Sequence, residues 1–165
     1  MVLDRLAADS GVSLKKKGEL VEIAETTIQS KSTILIKPQT FMNRSGAAIA
    51  ALQRYFQYEL QNYLIVLDEV NLPLGKIRIR GHGSSGGHKG LASIIEQMGT
   101  QDIARLRLGV GAEIGKDEMV DFVLSKFAKN ERSILDSMIA TSVDAVRSFI
   151  ADGLEVTMNR YNSSP

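Results

Sequence analysis

Three stretches of this 165-residue chain place reactive side chains at spacings that chemistry uses. The first is Gly81-His82-Gly83-Ser84-Ser85-Gly86, a literal G-x-G-x-x-G between an expected strand and an expected helix. Such a loop can cradle a dinucleotide pyrophosphate, and Asp102 falls about twenty residues on, near where a ribose-binding acid would sit. The preceding Lys76-Ile77-Arg78-Ile79-Arg80 alternates basic and apolar residues, however, whereas a dinucleotide fold needs a buried apolar strand there. That argues against a nicotinamide or flavin site. A Walker loop fails as well, because no Gly-Lys-Ser/Thr occurs.

The second stretch is the apolar run Tyr63 to Leu67, which ends in Asp68-Glu69. An acid at the carboxyl end of a buried strand lies where α/β sheets place their ligands. Asp68 can there orient a histidine, bind a metal or cap a turn. Without cysteine, and with His82 and His88 set in one glycine-rich loop rather than at ligand spacing, no metal site is expected. The third stretch is Lys37-Pro38-Gln39-Thr40-Phe41-Met42-Asn43-Arg44-Ser45-Gly46. Asn43 sits where a helix should begin, so its side chain either caps that helix or points its amide into a cleft as a donor.

The elements that must hold these stretches follow from periodicity. Met1 to Ala8 reads as an amphipathic helix with Val2, Leu3 and Leu6 on one face and no capping residue before them. Glu19–Ile28 and Thr33–Lys37 read as a hairpin around Gln29–Ser32. Ala47, Ile49, Leu52 and Phe56 recur at helical spacing from Arg44 onward, with Asn43 or Ser45 as the cap. Tyr63–Leu67 should be a buried, parallel strand, Leu72-Pro73-Leu74-Gly75 a turn, and Lys76–Arg80 a half-exposed strand with its basic side chains on one face. After the loop come a helix near Leu91–Met98 and a strand Leu106–Val110.

Met119, Val120, Val123 and Phe127 form one helical stripe. Leu135, Met138, Ile139, Val143, Val146, Phe149 and Ile150 form a longer one, with Asn130 as N-cap and Gly153 as the stop. Strands alternating with helices give a single α/β domain over residues 1–165, with a mixed, mostly parallel sheet flanked by helices.

Composition bounds the function. Hydrophobic residues at 44% and charged residues at 24% are ordinary for a globular chain, and no apolar run approaches a membrane span of roughly 18 residues. A net charge of +1 does not announce a nucleic-acid partner. The local distribution says more: Lys76, Arg78, Arg80, Lys89, Arg105 and Arg107 crowd into one window that can form a basic face.

Taken in order, these pieces resemble a known family. Lys-Pro-x-Thr-Phe-Met-Asn-x-Ser-Gly, then an apolar strand ending Asp-Glu-x-x-Leu-Pro-x-Gly-Lys, then Gly-Gly-His-x-Gly-Leu and Arg-Leu-Arg-Leu-Gly-Val-Gly are similar to the bacterial-type peptidyl-tRNA hydrolases. Asp121–Phe127 and the closing Met158-Asn159 are similar too, so the likeness runs from about Asp4 to Asn162. The resemblance implies hydrolysis of the ester between a peptide and the terminal ribose of tRNA. It implies that Asp68 holds a histidine in the tautomer whose free nitrogen takes a proton from water, and that the Asn43 amide binds substrate and stabilises charge on the ester oxygen. Phe41 would lie beside the 3′ end of the tRNA. Met42 and the Gly86-Gly87-His88-Lys89 turn would line the channel for the peptide backbone, and Arg80 and Arg107 would grip tRNA phosphate. The implied partner is tRNA; no metal, cofactor or membrane is implied, and the expected state is a cytoplasmic monomer.

Two departures from the family stand out. Its members open with a strand, a Gly-Asn-Pro-Gly turn and an Arg-His-Asn segment that carries the general-base histidine, whereas Met1 to Ala7 resembles the helix that follows. The chain is therefore expected to be N-terminally truncated, to lack the family's first strand and to leave unpaired backbone groups and an unfilled slot in the core. Lys89 also stands where the family has asparagine, replacing a donor and acceptor with a point charge. The alternative to a hydrolase is a catalytically inactive RNA-binding relative resembling plastid splicing factors, and beyond that an unrelated α/β binding module.

Overall fold

A computed structural model describes residues 1–53, 55–111 and 127–162. Its strands are β1 (Lys15–Lys17), β2 (Val21–Ile28), β3 (Lys31–Pro38), β4 (Leu64–Pro73), β5 (Ile77–Arg80) and β6 (Ala104–Gly111). Its helices are α1 (Val2–Asp9), α2 (Ser45–Gln53), α3 (Lys89–Met98), α4 (Arg132–Asp152) and α5 (Leu154–Tyr161), among the described residues.

The α/β class holds, but the strands divide into two three-stranded sheets, ordered β1-β2-β3 and β4-β6-β5. Among the described residues only β4 and β6 run parallel, which corrects the expectation of a mostly parallel sheet. The reason lies in the connections. Gln29 and Ser30 both adopt positive φ, at 50° and 60°, and close β2 and β3 into a hairpin. The chain turns between β4 and β5 within a few residues, too short for a crossover, so β5 must run antiparallel. Only the passage through α3 is long enough to bring β6 back beside β4 in parallel.

Both sheets lie between helices. Val21, Ile23, Ile34 and Ile36 face Ala48 and Leu52 of α2, while Ala24 and Leu35 turn to the larger core with Leu6 and α4. In the other sheet Ile65 meets Ile49 and Ile94 of α2 and α3, whereas Ile79, Leu106 and Leu108 join α4. Close approach explains two motif glycines. A Cβ on Gly46 would come within 2.2 Å of the Ser93 carbonyl oxygen where α2 crosses α3, and one on Gly109 within 2.0 Å of the Pro73 carbonyl oxygen where β4 crosses β6.

Several boundaries differ from the sequence reading. Neither Asn43 nor Ser45 caps α2: a 3₁₀ turn, Met42–Arg44, leads straight into it, and the Ser45 hydroxyl donates to the Met42 carbonyl at 2.8 Å. Asn130 likewise lies inside a 3₁₀ turn, Lys129–Glu131, whose Glu131 carboxylate accepts from the Ala128 N–H at 2.7 Å. β4 runs through Leu72 and Pro73 before turning. Gly153 does stop α4, but α5 starts at once and returns Asn162 to β5, where its amide bonds the Ile79 N–H at 2.8 Å and the Ile79 carbonyl at 2.9 Å. That single side chain covers an otherwise open sheet edge. The Met119, Val120 and Val123 part of the first helical stripe, and the Asp121–Lys126 part of the family block, lie outside the described residues.

The outer edges of β3 and β4 are both unpaired among the described residues. They line one cleft of about 1080 Å³, whose walls include Ile34, Ile36, Ile65 and Val66. Every second amide along β3 and β4 should therefore exchange with solvent far faster than its neighbours bonded to β2 and β6. Hydrogen-exchange NMR reads this directly. Uniform protection through Ile34–Ile36 and Ile65–Leu67 would show the edges to be covered.

Candidate active site

β4 delivers Asp68, near the end of its regular pairing with β6, to this cleft, where Thr40, Met42 and His88 also line the wall. His88 is the N-cap of α3, and its Nδ1 accepts from the Leu91 N–H at 3.1 Å. An accepting Nδ1 is unprotonated, so the ring proton of the neutral form sits on Nε2, which faces Asp68 Oδ1 at 3.4 Å. That hydrogen bond from His88 holds the Asp68 carboxyl below its usual range, against the opposing push of burial. The pairing was not expected from the sequence. It leaves His88 with no free nitrogen, so His88 positions a helix and a carboxylate and cannot take a proton from water as it stands. His82 is exposed in the loop and makes no hydrogen bond among the described residues.

Met42 packs across the start of α3, where a Cβ on Gly90 would meet its sulfur at 2.5 Å. Phe41, Met42 and Asn43 are all solvent-exposed, Phe41 by 80% of its surface. The Asn43 amide makes no hydrogen bond among the described residues, which leaves it free to donate. Gly86 and Gly87 turn the loop at φ of 58° and 88°, conformations that L side chains rarely adopt. Lys89 projects to solvent as the first residue of α3. Thr40 was overlooked in the sequence. Its hydroxyl is buried against the cleft with no partner among the described residues, a signal that only a packed structure reveals.

The expected basic face forms, with one correction. Register pairs Arg78 with Arg107 and Arg80 with Arg105, so all four project from one side of the sheet. Arg78 and Arg80 are exposed. Arg105 is fully buried, and its guanidinium donates to the carbonyls of Ile103 at 2.9 Å, of Gln101 at 2.7 Å and of Gly83. It is a clamp for the glycine loop and not part of the open face. Arg107 is intermediate: Nη1 pairs with Glu69 at 3.1 Å, and Nη2 lies 3.4 Å from the Ser84 carbonyl. The loop is therefore pinned by two arginines at one end and by His88 on Asp68 at the other. This geometry sets a carboxylate in an apolar cleft beside a cationic face, with Met42 on the same wall. Among the described residues no cluster of three metal-ligating side chains occurs, and no helix is long and apolar enough to cross a membrane.

Known proteins match this chain over nearly its whole length. The sequence pattern of a family described as peptidyl-tRNA hydrolase fits residues 1–165. A peptidyl-tRNA hydrolase of Elusimicrobium minutum is 41% identical over 162 residues, covering 98% of this chain and 87% of its own length. One from Chlorobaculum tepidum is 42% identical over 161 residues, covering 98% and 85%. The crystal structure of peptidyl-tRNA hydrolase from Acinetobacter baumannii superposes with a TM-score of 0.91 at 29% identity, covering 98% of this chain and 83% of that one. On these matches, and on the motif residues placed around the cleft, the chain belongs to the peptidyl-tRNA hydrolase family.

Proposed function

We propose that this chain acts on peptidyl-tRNA, cleaving the ester between the peptide and the terminal ribose, with Asp68 and Asn43 as its catalytic side chains. The observation that carries the proposal is one cleft lined by Asp68, Met42 and His88, whose glycine loop is shared with an arginine face. An ionised Asp68 would orient an imidazole whose far nitrogen is free, as that of His88 is not, so that this nitrogen takes the proton from the attacking water. The unbonded Asn43 amide would donate to the ester oxygen as negative charge develops there. Phe41, exposed beside this group, offers a face for the 3′-terminal base, and aromatic stacking of that kind is tolerant of base identity. Met42 and residues Gly86–Lys89 would hold the peptide, the glycines allowing its backbone to approach closely.

Arg80 and Arg107 would bind phosphate, the geometry for which a planar guanidinium is suited. The named relatives are hydrolases, and no observation favours the splicing-factor-like alternative. Replacing either arginine with alanine should weaken tRNA binding across all sequences and lower the salt slope by about one ion. Filter binding of tRNA from about 50 to 200 mM salt measures it. An unchanged slope in both variants would take these residues out of the phosphate site.

A further inference from the structure

Glu69 follows Asp68 directly, yet its carboxylate turns away to a different task. Both oxygens are engaged. Oε1 accepts from the Asn71 N–H at 3.0 Å and from the Asn71 side-chain amide at 2.9 Å, and Oε2 accepts from Arg107 Nη1 at 3.1 Å. The Glu69 side chain is 11% exposed and that of Arg107 22%, so neither swings freely in solvent.

What Glu69 leaves open on Arg107 is equally informative. Among the described residues the Nε–H of Arg107 is buried without a partner, and Nη2 reaches only the Ser84 carbonyl, at the long distance of 3.4 Å. These two nitrogens share one edge of the planar guanidinium. Once the Ser84 carbonyl gives way, this edge is able to grip two oxygens of a phosphate at once. A buried N–H without an acceptor costs stability, so an empty edge of this kind marks a place that a ligand would satisfy.

We infer that Glu69 is a positioning residue for the phosphate grip of Arg107, an inference that rests on the tRNA reading above. By holding Nη1, it keeps the Nε–Nη2 edge turned toward the Ser84 side, where a phosphate oxygen takes the place of the weak carbonyl contact. Two effects oppose each other at this site. The carboxylate repels an incoming phosphate, and it fixes the donor edge that binds one. Orientation dominates, because the buried Nε–H reaches an anion in one setting of the side chain only. The repulsion is meanwhile offset by the exposed Arg78 and Arg80 on the same face.

The test compares binding of unacylated tRNA by Glu69→Ala, Glu69→Gln and Arg107→Ala across a salt series, with thermal unfolding of each variant. Glu69→Ala should bind about five- to tenfold more weakly, the loss of an oriented charge-assisted contact, with the salt slope reduced by about one as in Arg107→Ala. Glu69→Gln keeps an acceptor for Nη1, with the exposed Asn71 free to turn to water, and should retain most of the affinity and the slope. Tighter binding by Glu69→Ala would show that Glu69 only opposes phosphate, and would overturn the inference. Equal weakening in both Glu69 variants with an unchanged slope would reduce Glu69 to a structural role. If Arg107→Ala itself binds tRNA normally, the phosphate reading fails first and the inference falls with it.

Discussion

With an N-blocked aminoacyl-tRNA as substrate, the 165-residue chain should release the amino acid about 10²–10⁴-fold more slowly than its Chlorobaculum tepidum relative, and added imidazole should restore part of the rate. The argument is one of proton accounting. Water attacking an ester must lose a proton to a group with a free lone pair near neutrality. Asp68, held below its usual range by His88, is a weak base. Both nitrogens of His88 are committed, and His82 is exposed in the loop with no partner among the described residues to orient it. The groups proposed to bind substrate and stabilise charge act independently of a base, so a residual catalysed rate should survive without one.

Exogenous imidazole can supply that base, since the cleft beside Asp68 is roomy and its carboxylate is partly exposed. The rescued rate should climb with imidazole concentration and with pH, because only the neutral ring accepts a proton. Asp68→Asn should abolish the rescue while leaving tRNA binding intact. Turnover at the relative's level with no imidazole present would sink the idea and would require a base other than Asp68, His82 or His88.

Much of this was legible before any coordinates, and what was not has a physical reason. Alternation in Lys76–Arg80 correctly placed a half-exposed basic strand, because the side-chain period of a strand is two. The acid at the end of an apolar run did not end the strand, since β4 continues to Pro73 although its regular pairing with β6 stops at Glu69, whereas the glycine loop correctly connected β5 to α3. Helix caps were misread at Asn43 and Asn130 because a 3₁₀ turn and an α-helix share the same starting residues. The division into two sheets escaped notice, since pairing between distant strands leaves no local periodicity. So did the role of Asn162, which closes a sheet edge from a distant helix end. At the site, motif order brought Met42, Asp68 and His88 to one cleft, but which histidine meets Asp68 depends on the path of a loop. Arg105 and Arg107 look identical in Arg-Leu-Arg, and only depth in the fold separates a fully buried clamp from a partly exposed group.

That separation yields the second large effect. Arg105→Met should destabilise the protein by about 3 kcal/mol or more, because three carbonyl acceptors lose their donor while the aliphatic stem is kept. At roughly 2–4 °C per kcal/mol for a chain of this size, the unfolding midpoint should fall by about 10 °C. Burial, followed by the neighbouring charge of Arg107, pushes the Arg105 pKa down, but a guanidinium starts so high that it stays charged through the working range. Its role is to tie Gly83 to Gln101 and Ile103, and so to fix the loop whose far end carries His88 and Lys89. Loosening that loop should raise KM for a peptidyl substrate, since residues 86–89 would no longer be preset.

The salt slope of tRNA binding should nevertheless stay at the wild-type value, because a side chain with no exposed surface neutralises no phosphate. Arg80→Ala is predicted to show the reverse: an unchanged midpoint, since its exposed side chain has no partner among the described residues, and a slope lower by about one. Thermal unfolding and salt-dependent binding on the same two variants therefore form a crossed pair. A stable Arg105→Met with a reduced slope would mean that this arginine leaves its carbonyls to meet the nucleic acid, and that the loop is held by something else.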